Sequence, residues 1–223
     1  MERKPVARVD GRLARSERSR RAVVGALLDL FEEGEMRPTA AQIAQRAGVS
    51  LRSVFQHFES LETLFAAAAD LQMERLAPLL LPIPTDGPFP ARLATFVTRR
   101  ARVLEAISPV RRASLRSEPF SNEVRTRLER ARARGRREVE LVFASELAGF
   151  PAAERRDVAA ALGAAASWST WEHLRRHQGL GVDRSRRVLA RMLASSLGRA
   201  VDGSVARALD DADDTTTPSA GEA

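Results

Sequence analysis

The chain has 223 residues, with 36 lysines and arginines against 29 aspartates and glutamates, and it contains neither cysteine nor tyrosine. This length allows one or two domains with their own hydrophobic cores, and the lack of cysteine excludes disulfides, thiolate zinc sites and a cysteine nucleophile. Because no apolar run approaches the roughly 20 residues of a membrane-spanning helix and the arginine-rich N-terminus lacks a signal segment, we expect a cytoplasmic protein without a membrane partner.

The first predicted elements are a flexible basic arm over residues 1–15 and an amphipathic helix after it. In that helix Val23, Leu27, Leu30 and Phe31 recur at three- and four-residue spacing, which is typical of one buried helix face. Gly34 follows the last of these residues and predicts the C-terminal end of the helix.

Two short helices joined by a glycine are predicted over residues 39–58, which read TAAQIAQRAGVSLRSVFQHF. Thr39 and Gln42 have the spacing of a capping box at the start of the first helix. Gly48 can adopt the positive φ of a tight turn, and Ser50 predicts the N-cap of the second helix. The pattern is that of a helix-turn-helix, although the spacing alone also fits an ordinary helical corner.

The outward side chains of the second helix favour the helix-turn-helix interpretation. In a helix-turn-helix the second helix enters the major groove of DNA. Arginine pairs well with guanine there and glutamine with adenine. The outward positions are all of hydrogen-bonding types: Arg52, Ser53, Gln56 and His57.

The rest of the chain also has helical periodicity, and no segment alternates with the period of a β-strand, so the predicted class is all-α. A proline cluster at residues 82–90 separates an N-terminal unit from a larger C-terminal bundle. Residues 209–223 are acidic and poor in apolar side chains, and we expect a disordered tail there. The predicted helices begin near Ser60, Leu93, Pro109 (capped by Ser108), Ser121, Ala152 (running to His177) and Asp183 (running beyond Ala200).

The run from Ser16 to Phe65 resembles the TetR family of transcriptional repressors. It carries an amphipathic helix followed by IAQRAGVS, SVFQHF and SLETLF. The resemblance implies a helix-turn-helix DNA-binding domain over residues 16–59 and a helical ligand-binding and dimerisation domain over residues 60–208. It further implies a homodimer that binds a palindromic DNA operator and releases it when a small-molecule effector binds. Neither a cofactor nor a catalytic residue is implied.

Carried over by position, the resemblance makes Leu51–His57 the recognition helix. It implies that Phe55 and His57 face the DNA backbone and that the base edges are faced by Leu51, Arg52, Ser53 and Gln56. Two positions depart from the family, since Phe55 stands where tyrosine is frequent and Leu61 where lysine is frequent. Nearby arginines are expected to replace these phosphate contacts: Arg15, Arg18, Arg20 and Arg21, with Arg8 and Arg12 on the arm. The full set of predicted DNA contacts is Thr39, Ser50, Leu51, Arg52, Ser53, Phe55, Gln56 and His57.

The resemblance also implies an effector pocket and a dimer interface in the C-terminal helices. The large apolar candidates for the pocket are Phe96, Leu104, Leu115, Phe143, Trp168 and Trp171. The candidates for the dimer interface are Leu162, Ala166, Val188, Met192, Leu193, Ser196 and Leu197. The arginine-rich block at residues 92–137 is compatible with solvated helix faces, with nucleic acid or with an anionic effector, and an apolar effector is equally compatible with the composition.

Other functions have weaker support in the sequence. A nucleophile elbow and a phosphate-binding loop are both missing, which argues against an enzyme. His173 and His177 have the spacing of two metal ligands on a helix, but no third ligand accompanies them, so we expect no metal. The remaining alternative is a helical dimeric small-molecule-binding or interaction protein without specific DNA binding, which Phe55 and Leu61 make conceivable.

Overall fold

A computed structural model describes the backbone of residues 7–214 and the side chains of residues 13–212. The described residues form helices and connecting turns without a β-strand, which confirms the predicted all-α class. The α-helices are α1 (Ala7–Glu32), α2 (Ala40–Ala47), α3 (Leu51–His57), α4 (Leu61–Leu76), α5 (Phe89–Ser117), α6 (Asn122–Val142), α7 (Ala144–Ala148), α8 (Ala152–Ala165), α9 (Trp168–Glu172), α10 (Val182–Ser196) and α11 (Gly203–Asp214). A 3-10 turn at Ala77–Leu79 follows α4, and a π-helical turn at His173–His177 follows α9. None of the described helices has the length and apolar character required to cross a membrane.

The chain divides into two compact units. The first comprises the chain up to Ala77 together with Pro109–Val124, and the second comprises Pro78–Ser108 and the chain from Arg125 onward. Helix α5 therefore supplies residues 89–108 to the second unit and residues 109–117 to the first.

The first unit buries the apolar face of α1 against α2, α3 and α4. Val23 and Leu27 of α1 are fully buried, as are Ile43 of α2 and Leu64 of α4. The rings of Phe31 and Phe65 stack with their centroids 5.8 Å apart. This core fixes α2 and α3 on a helical support.

The second unit has a larger core that contains paired arginines as well as apolar side chains. Arg92 of α5 forms a buried ion pair with Glu146 of α7. Arg100 of α5 donates to the carbonyl of Gly135 on α6 over 3.0 Å. A Cβ atom at residue 135 would lie 3.1 Å from Nη1 of Arg100, so glycine permits this close approach.

The two ends of the chain are more helical than the sequence predicted. Residues 7–15, expected as a flexible arm, belong to α1, and residues 209–214, expected to be disordered, belong to α11. In α11 the side chains of Val205 and Leu209, one helical turn apart, are buried in the core of the second unit. Asp202 accepts the backbone N–H of Ser204 and caps this helix. Residues 1–6 and 215–223 lie outside the described part of the chain.

Three further predictions about the helices were wrong. The helix expected to run from Asp183 beyond Ala200 ends at Ser196. Pro109 does not begin a helix but lies inside α5, where the hydroxyl of Ser108 donates to the carbonyl of Leu104 over 2.7 Å and accepts the indole N–H of Trp168. The helix predicted from Ala152 to His177 is interrupted after Ala165, and Ser167 caps the next helix. The apolar spacing gave no signal for any of these outcomes.

Candidate nucleic-acid interface

Helices α2 and α3 are joined by a turn whose residues have the predicted roles. The backbone N–H of Gln42 donates to the Thr39 hydroxyl over 3.2 Å, and that of Thr39 donates to Oε1 of Gln42 over 2.8 Å, which completes the capping box. Gly48 adopts φ 65° and ψ 31°, the left-handed conformation that glycine allows without strain. Ser50 caps α3 by accepting the backbone N–H of Ser53. The sequence therefore dictates the helix-turn-helix locally.

Helix α3 has one buried face and one exposed face. Val54 and Phe58 point inward and are 1% and 5% exposed. On the opposite side Arg52 and Gln56 are exposed, one helical turn apart. Among the described residues, no other side chain forms a hydrogen bond or ion pair with either of them. These two side chains are available to bind a partner.

Three predicted DNA contacts are hydroxyls that already take part in caps. Oγ1 of Thr39 donates to Gln42, and the hydroxyls of Ser50 and Ser53 lie 2.8 Å apart in a mutual hydrogen bond. A hydroxyl in such a cap can accept or donate a second hydrogen bond to a phosphate, but its first role is to hold the helix in place. The structure thus places these three residues in the local framework of the site.

The three remaining predicted contacts, and Leu61 beside them, differ in exposure. Leu51 and Phe55 are exposed apolar side chains, at 46% and 55%. His57 is half-buried in the last turn of α3. Leu61, at the start of α4, is 38% exposed and adds no charge there.

Arginines on α1 supply positive charge to the first unit. Arg15, Arg18, Arg20 and Arg21 are all exposed. The guanidinium carbon of Arg20 lies 5.1 Å from the ring centroid of Phe58, next to the end of α3. The side chains of Arg8 and Arg12 lie outside the described residues.

Two arginines around α2 were not among the predicted contacts. Arg46 forms an ion pair with Glu33, and its hydrogen bond holds the pKa of Glu33 below the usual value. Arg37 is exposed two residues before the cap of α2. Helix N-termini attract anions because their first N–H groups are unpaired within the helix. Because Arg37 lies just before Pro38 and the N-cap Thr39, its position in the sequence could have identified it as a candidate phosphate contact.

The predicted pocket residues lie in two different units. Phe96, Phe143, Leu104 and Trp171 are buried in the core of the second unit, and Trp168 is half-buried at its edge. The rings of Phe96 and Phe143 meet edge to face at 5.4 Å. Leu115 is half-buried in the first unit. The indole N–H of Trp171 donates to Glu105 over 2.6 Å.

The predicted dimer residues separate into a buried and a surface group. Leu162, Ala166, Leu193 and Leu197 are buried within the single chain, so they have almost no surface to offer a second copy. Helical spacing does not distinguish a core from an interface, and the dimer interface itself stays a prediction. The surface group is Val188, Met192 and Ser196.

Residues 24–68 match the sequence model of the bacterial regulatory proteins of the tetR family. That segment covers the last third of α1, all of α2 and α3 and the first half of α4, so it contains the helix-turn-helix described above. No curated protein sequence matches the chain.

Two solved structures share the fold. A transcriptional regulator from Rhodococcus sp. Rha1 superposes with a TM-score of 0.63 at 21% sequence identity and covers 82% of this chain and 99% of its own. A tetR-family transcriptional regulator from Streptomyces coelicolor superposes with a TM-score of 0.62 at 20% identity and covers 92% of each chain. Both neighbours are transcriptional regulators.

Proposed function

We propose that the chain, whose residues 24–68 match the tetR family of bacterial regulatory proteins, represses transcription by binding operator DNA through α3. The operator is palindromic and is bound by a homodimer, whose two recognition helices enter successive major grooves about 34–36 Å apart. A small molecule bound by the second unit releases the DNA.

The observation that carries this proposal is the availability of Arg52 and Gln56. Both side chains are exposed on α3, while Val54 and Phe58 hold the opposite face of the helix in the core. Arginine donates two hydrogen bonds to the O6 and N7 atoms of guanine, and glutamine pairs in the same way with N6 and N7 of adenine. The two residues are therefore suited to read base edges.

Operator selection followed by binding measurements tests the proposal. The full chain is first used to select duplexes from a random pool, and affinity for the selected duplex is then measured by mobility shift at two salt concentrations. Replacing Arg52 or Gln56 by alanine is expected to weaken specific binding by about 1–3 kcal/mol each. Arg156→Ala and Gln178→Ala, which remove the same side chains from exposed positions of the second unit, serve as controls and leave affinity unchanged.

Two results would contradict the repressor proposal. If the chain enriches no sequence, or if binding is independent of sequence and insensitive to Arg52→Ala and Gln56→Ala, the repressor proposal is wrong. Such results support a helical interaction protein without specific DNA binding.

The proposed dimer contact involves the surface of α8 and α10. Val188, Met192 and Ser196 follow one another at single helical turns on α10, and Ala160 and Ala164 of α8 are exposed. Small side chains allow helices to approach closely.

Met192→Arg is expected to convert a dimer into a monomer in analytical ultracentrifugation. Arg187→Glu, about 140° away around the same helix, leaves a dimer intact.

The proposed effector is predominantly apolar, because two buried arginines of the second unit already form ion pairs with carboxylates of the chain. Arg92 pairs with Glu146, and Arg100 with Glu138 over 2.8 Å. A ligand that binds the folded chain raises its midpoint of thermal unfolding. The same ligand must lower operator affinity, since coupling between two binding sites is reciprocal. A ligand that binds tightly and leaves operator affinity unchanged contradicts this part of the proposal.

A further inference from the structure

Helix α3 exposes a pair of apolar side chains beside its hydrogen-bonding pair. Leu51 and Phe55 are one helical turn apart and are 46% and 55% exposed. Since successive residues rotate by about 100° around a helix, this pair lies next to Arg52 and Gln56 on the outer surface of α3. The recognition helix thus presents an apolar stripe and a polar stripe side by side.

The apolar stripe is not part of the core. The inward positions of the same helix are Val54 and Phe58, which are almost completely buried. Scattered exposed apolar residues are normal on protein surfaces. Leu51 and Phe55 differ from such scattered residues. They form an adjacent pair on a seven-residue helix, beside Arg52 and Gln56, which are available to a partner.

The chemistry of Leu51 and Phe55 limits what they can bind on DNA. Neither side chain has a hydrogen-bond donor, so neither can hold a phosphate oxygen as a tyrosine or lysine would. The major groove offers one apolar group at its base edges, the C5-methyl group of thymine. Contact with that methyl distinguishes a T·A pair from a C·G pair without any hydrogen bond.

We propose that Leu51 and Phe55 determine operator specificity by packing against thymine methyl groups. This inference rests on the proposed function of α3 and deepens it. Each half-site then contains at least one thymine next to the base pairs that Arg52 and Gln56 read. Phe55 acts as a base-reading residue, in place of the backbone contact that its position implied in the sequence.

Deoxyuridine tests the proposal because it differs from thymidine by this one methyl group. In the duplex selected by the full chain, each thymine is replaced by uracil in turn, and affinity is measured by mobility shift. Burial of one methyl group corresponds to about a fourfold change in affinity. We expect a loss of about this size at one or more thymines of each half-site, and little change at the others.

Protein variants identify the residue that contacts the methyl. Leu51→Ala or Phe55→Ala is expected to weaken binding to the thymine duplex and to abolish its advantage over the uracil duplex. Leu13→Ala makes the same truncation at an exposed position of α1 and retains the full thymine preference. Since Leu51 and Phe55 are exposed, unfolding of these variants is not expected, and circular dichroism confirms that they are folded.

The outcomes separate this inference from the proposed function. If the chain selects a sequence but binds every uracil duplex as tightly as its thymine counterpart, or if the selected half-site has no thymine, the inference is overturned and the repressor proposal stands. A thymine preference that survives both alanine variants also overturns it. If no sequence is selected at all, the proposed function itself fails.

Discussion

The two units of the chain use arginine in opposite ways. In the first unit Arg52 is exposed on the recognition helix, and Arg46 pairs with Glu33 at the surface. In the second unit Arg92 and Arg186 are buried, with side chains 6% and 7% exposed. An exposed guanidinium can exchange its water for a phosphate or a base, whereas a buried one has to be matched inside the chain.

The difference shows why net charge alone does not identify a binding surface. The arginine-rich block at residues 92–137 was compatible with nucleic acid or an anionic ligand on composition. In the structure Arg92 donates to the carbonyl of Val142 and to Glu146, and Arg100 donates to the carbonyl of Gly135 and pairs with Glu138. At least these members of the block stabilise the second unit, and their charge is not available to DNA.

The largest expected effect follows from removing Arg92. In Arg92→Ala the carboxylate of Glu146, whose side chain is 5% exposed, loses its buried partner. An uncompensated buried charge of this kind lowers the free energy of unfolding by about 3–5 kcal/mol. Both tryptophans, Trp168 and Trp171, lie in the second unit, so denaturant unfolding followed by tryptophan fluorescence reports this loss.

A double variant provides the control for Arg92→Ala. Arg92→Met combined with Glu146→Leu removes both charges and keeps most of the volume, so it should be clearly more stable than Arg92→Ala. If Arg92→Ala leaves the fluorescence midpoint unchanged, the distinction between buried and exposed arginines does not hold for this pair.

Removing Arg186 is expected to have a smaller effect of the same sign. Arg186 of α10 donates to Oγ1 of Thr98 over 2.7 Å and to the carbonyl of Leu209 over 2.9 Å. Arg186→Met leaves buried acceptors without this donor, which corresponds to about 1–3 kcal/mol. The adjacent Arg187 is exposed, and Arg187→Met should leave the fluorescence midpoint unchanged. Equal effects of the two substitutions would show that burial does not distinguish them.

The free energy of unfolding of the second unit should depend on pH through the Arg92–Glu146 pair. Burial works to raise the pKa of Glu146, but the hydrogen bonds from Arg92 and Ser145 outweigh it, so the pKa lies below the usual 4.5. Because the folded-state pKa is lowered, this stabilisation is present above pH 4.5 and is lost as the pH falls through the folded-state value.

Denaturant midpoints measured by tryptophan fluorescence at decreasing pH test this expectation. Glu146→Gln lacks the titrating group, so its midpoint should fall less steeply below pH 4.5 than that of the unaltered chain. Identical slopes for the two proteins would exclude Glu146 as a source of the pH dependence.

The sequence predicted the first unit in more detail than the second for a physical reason. The caps of Thr39 and Ser50 and the turn at Gly48 are made within a few residues of the chain, and the structure confirms each of them. The hydroxyl of Ser108 accepts a hydrogen bond from Trp168, sixty residues away, and such a distant partner cannot be predicted from the spacing around Pro109.

The sequence also did not predict which apolar helix faces are buried in the core. Val205 and Leu209 have helical spacing, but the acidic residues after them suggested disorder, and the packing partner that orders α11 lies in distant helices. For the same reason the stripe of Leu193 and Leu197 could not be distinguished from an interface, and the structure places both residues in the core.

The smallest expected effect is that of Arg46, the surface counterpart of Arg92. Its side chain and that of Glu33 are 37% and 54% exposed, so both groups stay hydrated when the ion pair opens. Arg46→Ala should therefore leave hydrogen exchange across residues 40–58 almost unchanged, as measured by mass spectrometry, although it returns the pKa of Glu33 toward its usual value. Arg92→Ala should accelerate exchange in the second unit under the same conditions. If Arg46→Ala opens α2 and α3 to a comparable degree, surface arginines also hold the first unit together, and the contrast between the two units is lost.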